Sequence, residues 1–328
     1  RDFTLKGIFK DENGSYQKYD DNFESYINAI KESIDLGNKN IKAVFDPANG
    51  TGSIILERVL KEFNIDYKII NGISDGNFPV HHPDPSVEEN MQMLKDEINN
   101  NHYEIGLGID GDADRVGVVD DKGNFITIDN LMIVIYKYLN PTLKNRHAIM
   151  DVKCSKAMLD EMNKINLPCE VYRTGNSYMN LKINEEKLDF GGEFSGHLWF
   201  TDKWIGTDDG IYNALRIIEM LSKIEVPLSS LLKDIPKYYH TPEIKIEVKE
   251  ETKSLIIEKI KEYLDSQNIK YNHIDGVRID YEDGFTLIRQ SNTGPVLTVR
   301  FERKDEKSLE EEKQKYLDLI KKISLELN

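Results

Sequence analysis

Cysteine is nearly absent: Cys154 and Cys169 are the only two in 328 residues. Two thiols cannot build a disulfide framework, so the chain suits a reducing compartment, and the cytoplasm is the expected location. Neither thiol has a neighbour that marks it as a nucleophile, and both read as small packed residues. No apolar run approaches the roughly 20 residues of a membrane-spanning helix, and no signal-peptide pattern stands at the start, so no membrane partner is expected. An excess of basic residues is also missing, with 43 Lys and Arg against 58 Asp and Glu and a formal charge of −15. Nonspecific nucleic-acid binding needs a basic face, so that partner class is excluded as well. The length exceeds one ordinary domain and suffices for two or three with real cores.

What the chain does carry is concentrated in loops. Gly108-Ile-Asp-Gly-Asp-Ala-Asp-Arg115 sets Asp110, Asp112 and Asp114 at every second position, with Arg115 directly behind them. On an extended or turning backbone this spacing can point three carboxylates to one side. Carboxylate oxygens suit a hard divalent cation, and magnesium is bound this way beside phosphate. The apolar run Ile105 to Ile109 reads as a strand that delivers the carboxylates to its carboxyl end, where α/β folds place their chemistry. A solvated turn is the plain alternative, because Asp and Gly together often make one. A calcium helix-loop-helix fails: it needs Gly sixth and Glu twelfth in the loop, and counting from Asp110 those places hold Arg115 and Asp121.

Two later stretches strengthen the metal reading. Gly191-Gly-Glu-Phe-Ser-Gly-His197 offers the carboxylate of Glu193, the hydroxyl of Ser195 and the imidazole of His197, with glycines that let backbone approach a ligand closely. Such a set can hydrogen-bond adjacent sugar hydroxyls. Arg289-Gln-Ser-Asn-Thr-Gly-Pro295 puts a guanidinium, the hydroxyls of Ser291 and Thr293 and the amide of Asn292 on a tight loop. That mixture suits a phosphate dianion, with Arg as bidentate partner. Turn chemistry alone accounts for either stretch taken singly. In so acidic a chain a phosphate site must be locally positive, and Arg115, Lys153 and Arg289 with a bound cation would make it so.

The rest supplies the scaffold. Ile41 to Phe45 reads as a buried strand, followed by a helix from about Ser53 to Phe63 and a strand from Tyr67 to Ile70. Ser86 reads as an N-cap with Glu88 and Glu89 in the first turn. Val116 to Val119 continues past the aspartates, and residues 120–124 form a hairpin-type turn. The rhythm then restarts: helix Leu131 to Leu139, strand Ala148 to Val152, helix Ser155 to Ile165 capped by Ser155, strand Cys169 to Arg173, and a helix from Asp208 and Asp209 through Leu221. Two units with one rhythm suggest a duplicated α/β domain. Near Pro236 to Pro242 the character changes. Ile244, Ile246 and Val248 alternate as in a strand, as do Val277, Ile279 and Tyr281, and Leu297, Val299 and Phe301. With flanking helices, this is a small α+β domain whose antiparallel sheet is packed on one side.

Together and in this order the three loops resemble the α-D-phosphohexomutase family, in its bacterial phosphomannomutase/phosphoglucomutase branch. Further matching text includes Asp46-Pro-Ala-Asn-Gly-Thr-Gly52, Phe78-Pro-Val-His-His-Pro-Asp-Pro85, Asp151-Val-Lys-Cys154, Arg173-Thr-Gly-Asn-Ser177 and Trp204-Ile-Gly-Thr-Asp-Asp-Gly210. The resemblance implies two consecutive α/β three-layer domains with mixed sheets, residues 1–125 with the Asp loop and 126–236 with the sugar loop. A smaller α+β phosphate-binding domain with an antiparallel sheet, 237–328, would follow. It implies reversible 1-phosphate/6-phosphate interconversion of mannose or glucose through a phosphoserine enzyme and a hexose 1,6-bisphosphate. Asp110, Asp112 and Asp114 would hold Mg2+, Arg115 would steady the transferred phosphoryl group, and Lys153 would be a second cation beside it. Glu193 and Ser195 would hold the sugar hydroxyls with His197 nearby, and Arg289, Ser291, Asn292 and Thr293 would grip the phosphate that is not reacting.

Two departures matter. The Thr-Ala/Gly-Ser-His-Asn-Pro type loop that carries the family's phosphoserine does not occur in these residues. The expectation is a chain that starts at the second family domain and is inactive as a mutase without a serine domain. Many relatives carry His where Asn176 stands, and an amide does not titrate near neutrality. Asn176 is left a substrate-binding role, with general-base duty falling to His197, Lys153 or the serine domain. His81 and His82 fit a structural part in their Pro-bounded loop. Phosphoglucosamine mutase is the rival within the class, but it usually carries Gln where this chain has Phe194. A sugar-phosphate-binding fragment without catalysis is the rival outside it. A magnesium phosphatase would leave the two later loops unexplained.

Overall fold

The computed structural model describes residues 14–19, 23–291 and 294–327. A helix α1 (Glu24–Ser33) precedes the first sheet, whose strands are β1 (Lys42–Asp46), β2 (Asp66–Ile69), β3 (Ile105–Ile109), β4 (Val116–Val119) and β5 (Phe125–Ile126). Their order is β2-β1-β3-β4-β5, with β1 parallel to β2 and β3 and the β3–β4–β5 pairings antiparallel. All five residues of β3 are buried, so the strand reads as a continuous apolar run and ends where the aspartates begin. The second sheet holds β6 (Ala148–Asp151), β7 (Cys169–Tyr172), β8 (Phe190–Gly192) and β9 (Leu198–Phe200) in the order β7-β6-β8-β9, antiparallel only at β9. Both are therefore mixed sheets. One apolar core runs through both units; residues 210–222 of the helix Gly210–Ile224 are all buried, and its apolar side chains belong to that core. Each fully buried Leu, Ile or Phe in such a core contributes about 1.5–3 kcal/mol.

The third sheet is antiparallel: β10 (Tyr239–His240), β11 (Ile244–Glu247), β12 (Val277–Tyr281), β13 (Gly284–Gln290) and β14 (Val296–Arg303), with β14 flanked by β13 on one side and by β10 and β11 on the other. Alternation sorts its faces. Val277, Ile279, Ile288, Leu297, Val299 and Phe301 pack on the helices Glu250–Ser266 and Glu306–Glu326. The other face brings Phe285 and Leu287 onto Val152 of the second unit.

Local expectations differ from the structure in several places. Ser86 caps no helix: its N–H and hydroxyl both donate to Asp84 Oδ1, and the helix Gln92–Asn101 starts only after a 3-10 turn at Glu88–Met91. Local side-chain bonds of this kind compete with helix initiation. The helix expected from Ser53 is a 3-10 turn, Thr51–Ile54, followed by a short α-helix, Leu56–Leu60. A helix at Asn176–Glu186 was not foreseen, its polar residues giving no apolar stripe. Nor was β13, because burial of both its faces erases the period-2 signal. Arg289 consequently sits in a strand rather than on the loop that follows.

Candidate active site

The Asp loop is shaped by its first aspartate. Asp110 is fully buried, and its Oδ1 accepts the N–H groups of Asp114 and Arg115, each at 3.0 Å. Arg115 Nε donates to its Oδ2 at 2.6 Å, and Arg115 Nη1 reaches Asp84 Oδ1 at 3.2 Å. Burial pushes the Asp110 carboxyl up to about 6 against the pull of Arg115, so it is ionised at pH 7. Oxygens of Asp110, Asp112 and Asp114 all lie within 4.8 Å of one another. Three hard donors so close fit a hard divalent cation.

This loop is pinned from the second unit. Val116 N–H donates to Gly196 O at 3.1 Å, and Gly210 N–H donates to Ala113 O at 2.8 Å. Gly196 has φ +105, and a Cβ there would lie 2.7 Å from Val116 O, so the contact requires glycine. His197 consequently faces the aspartates, with Nε2 3.2 Å from Asp114 Oδ1 and Nδ1 3.4 Å from Glu193 Oε2. Burial opposes its charge, but the two carboxylates overcome this and raise the imidazole to about 9. The ring is thus an imidazolium bridging the Asp loop and Glu193.

Glu193 is buried and accepts the Gly175 N–H at 2.6 Å and the Ser195 hydroxyl at 3.3 Å. Burial works against its ionisation, yet His197 and the Gly175 N–H hold it below the usual carboxylate range. Asn176 donates to Asp208 Oδ2, which itself lies 3.8 Å from His197 Nε2. Lys153 is buried, not a surface charge: its Nζ stands 3.4 Å from Glu243 and 4.0 Å from Asp151. Burial disfavours its charge, but these carboxylates keep the ammonium above its ordinary range, with Arg289 close enough to repel it.

Arg289 Nε donates to Asp275 Oδ2 at 2.9 Å. The same oxygen accepts the Thr174 N–H at 3.1 Å, and Thr174 Oγ1 donates to Asp151 Oδ2 at 2.8 Å. Arg289 Nη2 is buried without a hydrogen-bond partner among the described residues. Ser291 follows, its carbonyl accepting from the buried Lys253 ammonium at 3.1 Å. Asn292 and Thr293 lie outside the described residues. The structure therefore brings the Asp loop, the Glu193–His197 loop, Lys153 and Arg289 into one polar network. Asp84, Asp151 and Asp208, which stand in matching stretches but had no role assigned, join it, as do Glu243 and Asp275, whose local sequence announces no partner so far along the chain. Neither cysteine is placed as a nucleophile: Cys154 is buried with its thiol donating to Asp151 Oδ1, and burial pushes Cys169 up to about 12.

Known proteins match this layout. Family models for phosphoglucomutase/phosphomannomutase α/β/α domain II, α/β/α domain III and C-terminal domain fit residues 24–123, 127–239 and 243–319. The phosphomannomutase/phosphoglucomutase of Pseudomonas syringae pv. tomato is 34% identical over 305 residues, covering 93% of this chain and 65% of that protein. The phosphomannomutase of Methanocaldococcus jannaschii is 33% identical over 287 residues, covering 87% and 63%. The crystal structure of a phosphoglucomutase/phosphomannomutase family protein from Burkholderia thailandensis superposes with a TM-score of 0.87 at 31% identity, covering 98% of this chain and 68% of that one. The chain thus spans about 65% of the length of such curated relatives.

Proposed function

Since the chain belongs to the phosphoglucomutase/phosphomannomutase family, we propose that its three loops serve the interconversion of the 1- and 6-phosphates of mannose or glucose. In this reading residues 1–125 supply the metal loop, 126–236 the sugar loop and 237–328 the phosphate site. Asp110, Asp112 and Asp114 hold Mg2+, which when bound supplies charge neutralisation to a phosphoryl group. Arg115, braced by Asp110 and Asp84, steadies that group, and the Lys153 ammonium adds a second positive charge. Glu193 and Ser195 accept and donate to sugar hydroxyls. Arg289, with Ser291, Asn292 and Thr293, holds the distal phosphate. Asn176 orients Asp208 and takes no proton. The phosphoserine comes from a segment other than these 328 residues.

The observation that carries the reading is Arg289: a buried guanidinium with one nitrogen unsatisfied among the described residues sits in the same network as the Asp loop. An unpaired buried donor of this kind is costly unless a ligand completes it. The test is a coupled assay of glucose 1-phosphate conversion with Mg2+, using the chain alone and with a serine-bearing segment from a relative added in trans. Turnover only with the added segment is expected. No turnover in either case, or release of free phosphate, would overturn the assignment.

A further inference from the structure

The face of the third sheet turned away from its helices buries Arg278 and Arg300 as well as Arg289. Arg278, Leu287 and Arg300 form one cross-strand row over β12, β13 and β14, and the guanidinium groups lie at residues only 1% and 2% exposed. Arg278 has a carboxylate partner, Asp280, at 2.9 Å, and donates to the carbonyls of Val152 and Cys154 at 2.7 and 2.8 Å. Arg300 is different. Its Nη1 donates to the carbonyl of Lys153, and its guanidinium lies over the Phe194 ring, 3.9 Å from the centroid. Among the described residues no carboxylate forms an ion pair with it.

Those two contacts belong to different loops. Lys153 leaves the carboxyl end of β6, whereas Phe194 is in the sugar loop, its N–H bonded to Asp151 at 3.1 Å. One side chain of the third sheet thus fastens both loops of the second. The two contacts also require a guanidinium, because a planar cation can stack on a ring while donating in its own plane, and an ammonium is a point donor that cannot do both.

We propose that Arg300 is a positioning residue: by holding the Lys153 carbonyl against the Phe194 platform, it makes the placement of the Lys153 ammonium depend on docking of the C-terminal sheet. The functional consequence, a cation delivered to the site only when that sheet is seated, rests on the reading above. Phe194 in turn serves as a platform for Arg300 and need not touch sugar.

The test is trace acetylation of the native 328-residue chain, read lysine by lysine by mass spectrometry, in wild type, Arg300→Lys, Arg300→Met and Phe194→Leu. Lys253, with its side chain 9% exposed in the third unit, and Lys182, 20% exposed in the second, report loosening of either unit. Lys153 labelling should rise about 10-fold in both Arg300 variants and less in Phe194→Leu, a coupling of ordinary size for residues in contact. Lys253 and Lys182 should stay within about twofold, the range expected away from the changed contact. Lys153 protection equal to wild type, or all three lysines rising together, overturns the proposal. Titration of wild type with glucose 1-phosphate runs alongside: failure to bind would strike the functional reading and leave the labelling result to judge Arg300.

Discussion

The Asp loop and the Arg289 grip are built on opposite plans. In the first, shaping bonds run within residues 110–115: Asp110 takes two N–H groups and the Arg115 Nε of its own loop. In the second, the guanidinium is held by Asp275, 14 residues back, whose carboxylate is shared with a Thr174 N–H 101 residues away in another sheet's loop. Contacts from the second unit, the Val116 N–H to Gly196 O and the Gly210 N–H to Ala113 O, then pin a turn already closed by its own aspartate. An assembled guanidinium site exists only when two units dock, and it ties Arg289 to the Glu193–His197 loop through Thr174 and Gly175.

The sharpest way to break this comparison is Asp110→Ala. Three charge-assisted bonds worth about 1.5–3 kcal/mol each disappear, so Mg2+ affinity should fall more than roughly 100-fold and the melting temperature should drop. Asp112→Ala, at an exposed position, should weaken Mg2+ by about 10-fold with the melt unchanged. Calorimetric titration and thermal melts of both variants decide it, and equal melts would mean that Asp110 does not organise the loop.

Next comes Arg289→Ala. Truncating one member of a buried charge pair is worth about 2–5 kcal/mol, and saturable binding of glucose 1-phosphate should vanish while Mg2+ affinity holds. Undiminished sugar-phosphate affinity would remove Arg289 from the site, and a parallel loss of Mg2+ would show that the two plans are not separate.

A smaller effect concerns the loop that carries Asp84. His81 Nε2 lies 3.0 Å from Asp46 Oδ2, and this bond, opposed by burial, raises the imidazole above its ordinary 6.5. A raised folded-state value means that the contribution is fully present below pH 6.5 and fades as pH climbs through the folded-state value. Wild type should therefore out-melt His81→Ala at pH 6, with a gap of about 1 kcal/mol that narrows toward pH 9. A gap independent of pH would assign the effect to packing alone. Smallest of all, Cys169, half-buried in β7 with its thiol pushed up to about 12, should react with iodoacetamide at pH 8 more slowly in the native chain than in denaturant, and equal rates would show that the fold does not hold the thiol protonated.

How much of this could be read from the chain follows the same division. Ser155 as a cap for the helix Lys156–Lys164 was legible, because an N-cap is a bond across two residues, here to the Ala157 N–H. The alternating strands of the third sheet were legible where one face is apolar, at Val277, Ile279, Leu297, Val299 and Phe301. The strand β13 was not, since burial of both faces removes alternation. Ser86 misled because its side chain satisfies Asp84 instead of a helix end.

The sequence by itself determined the Asp loop, with donors and a neighbouring arginine whose spacing and bonds span only a few residues, and it determined the order of strand and helix wherever a period of 2 or 3.6 survives. Only the tertiary structure decided that Lys153 is buried between Asp151 and Glu243, that His197 is charged between Asp114 and Glu193, and that Asp275 and Arg300 tie the third unit to the second. In each case at least one partner lies far along the chain: Glu243 for Lys153, Asp114 for His197, Thr174 for Asp275 and the Lys153 carbonyl for Arg300. Burial then strengthens each contact once the docked units exclude water.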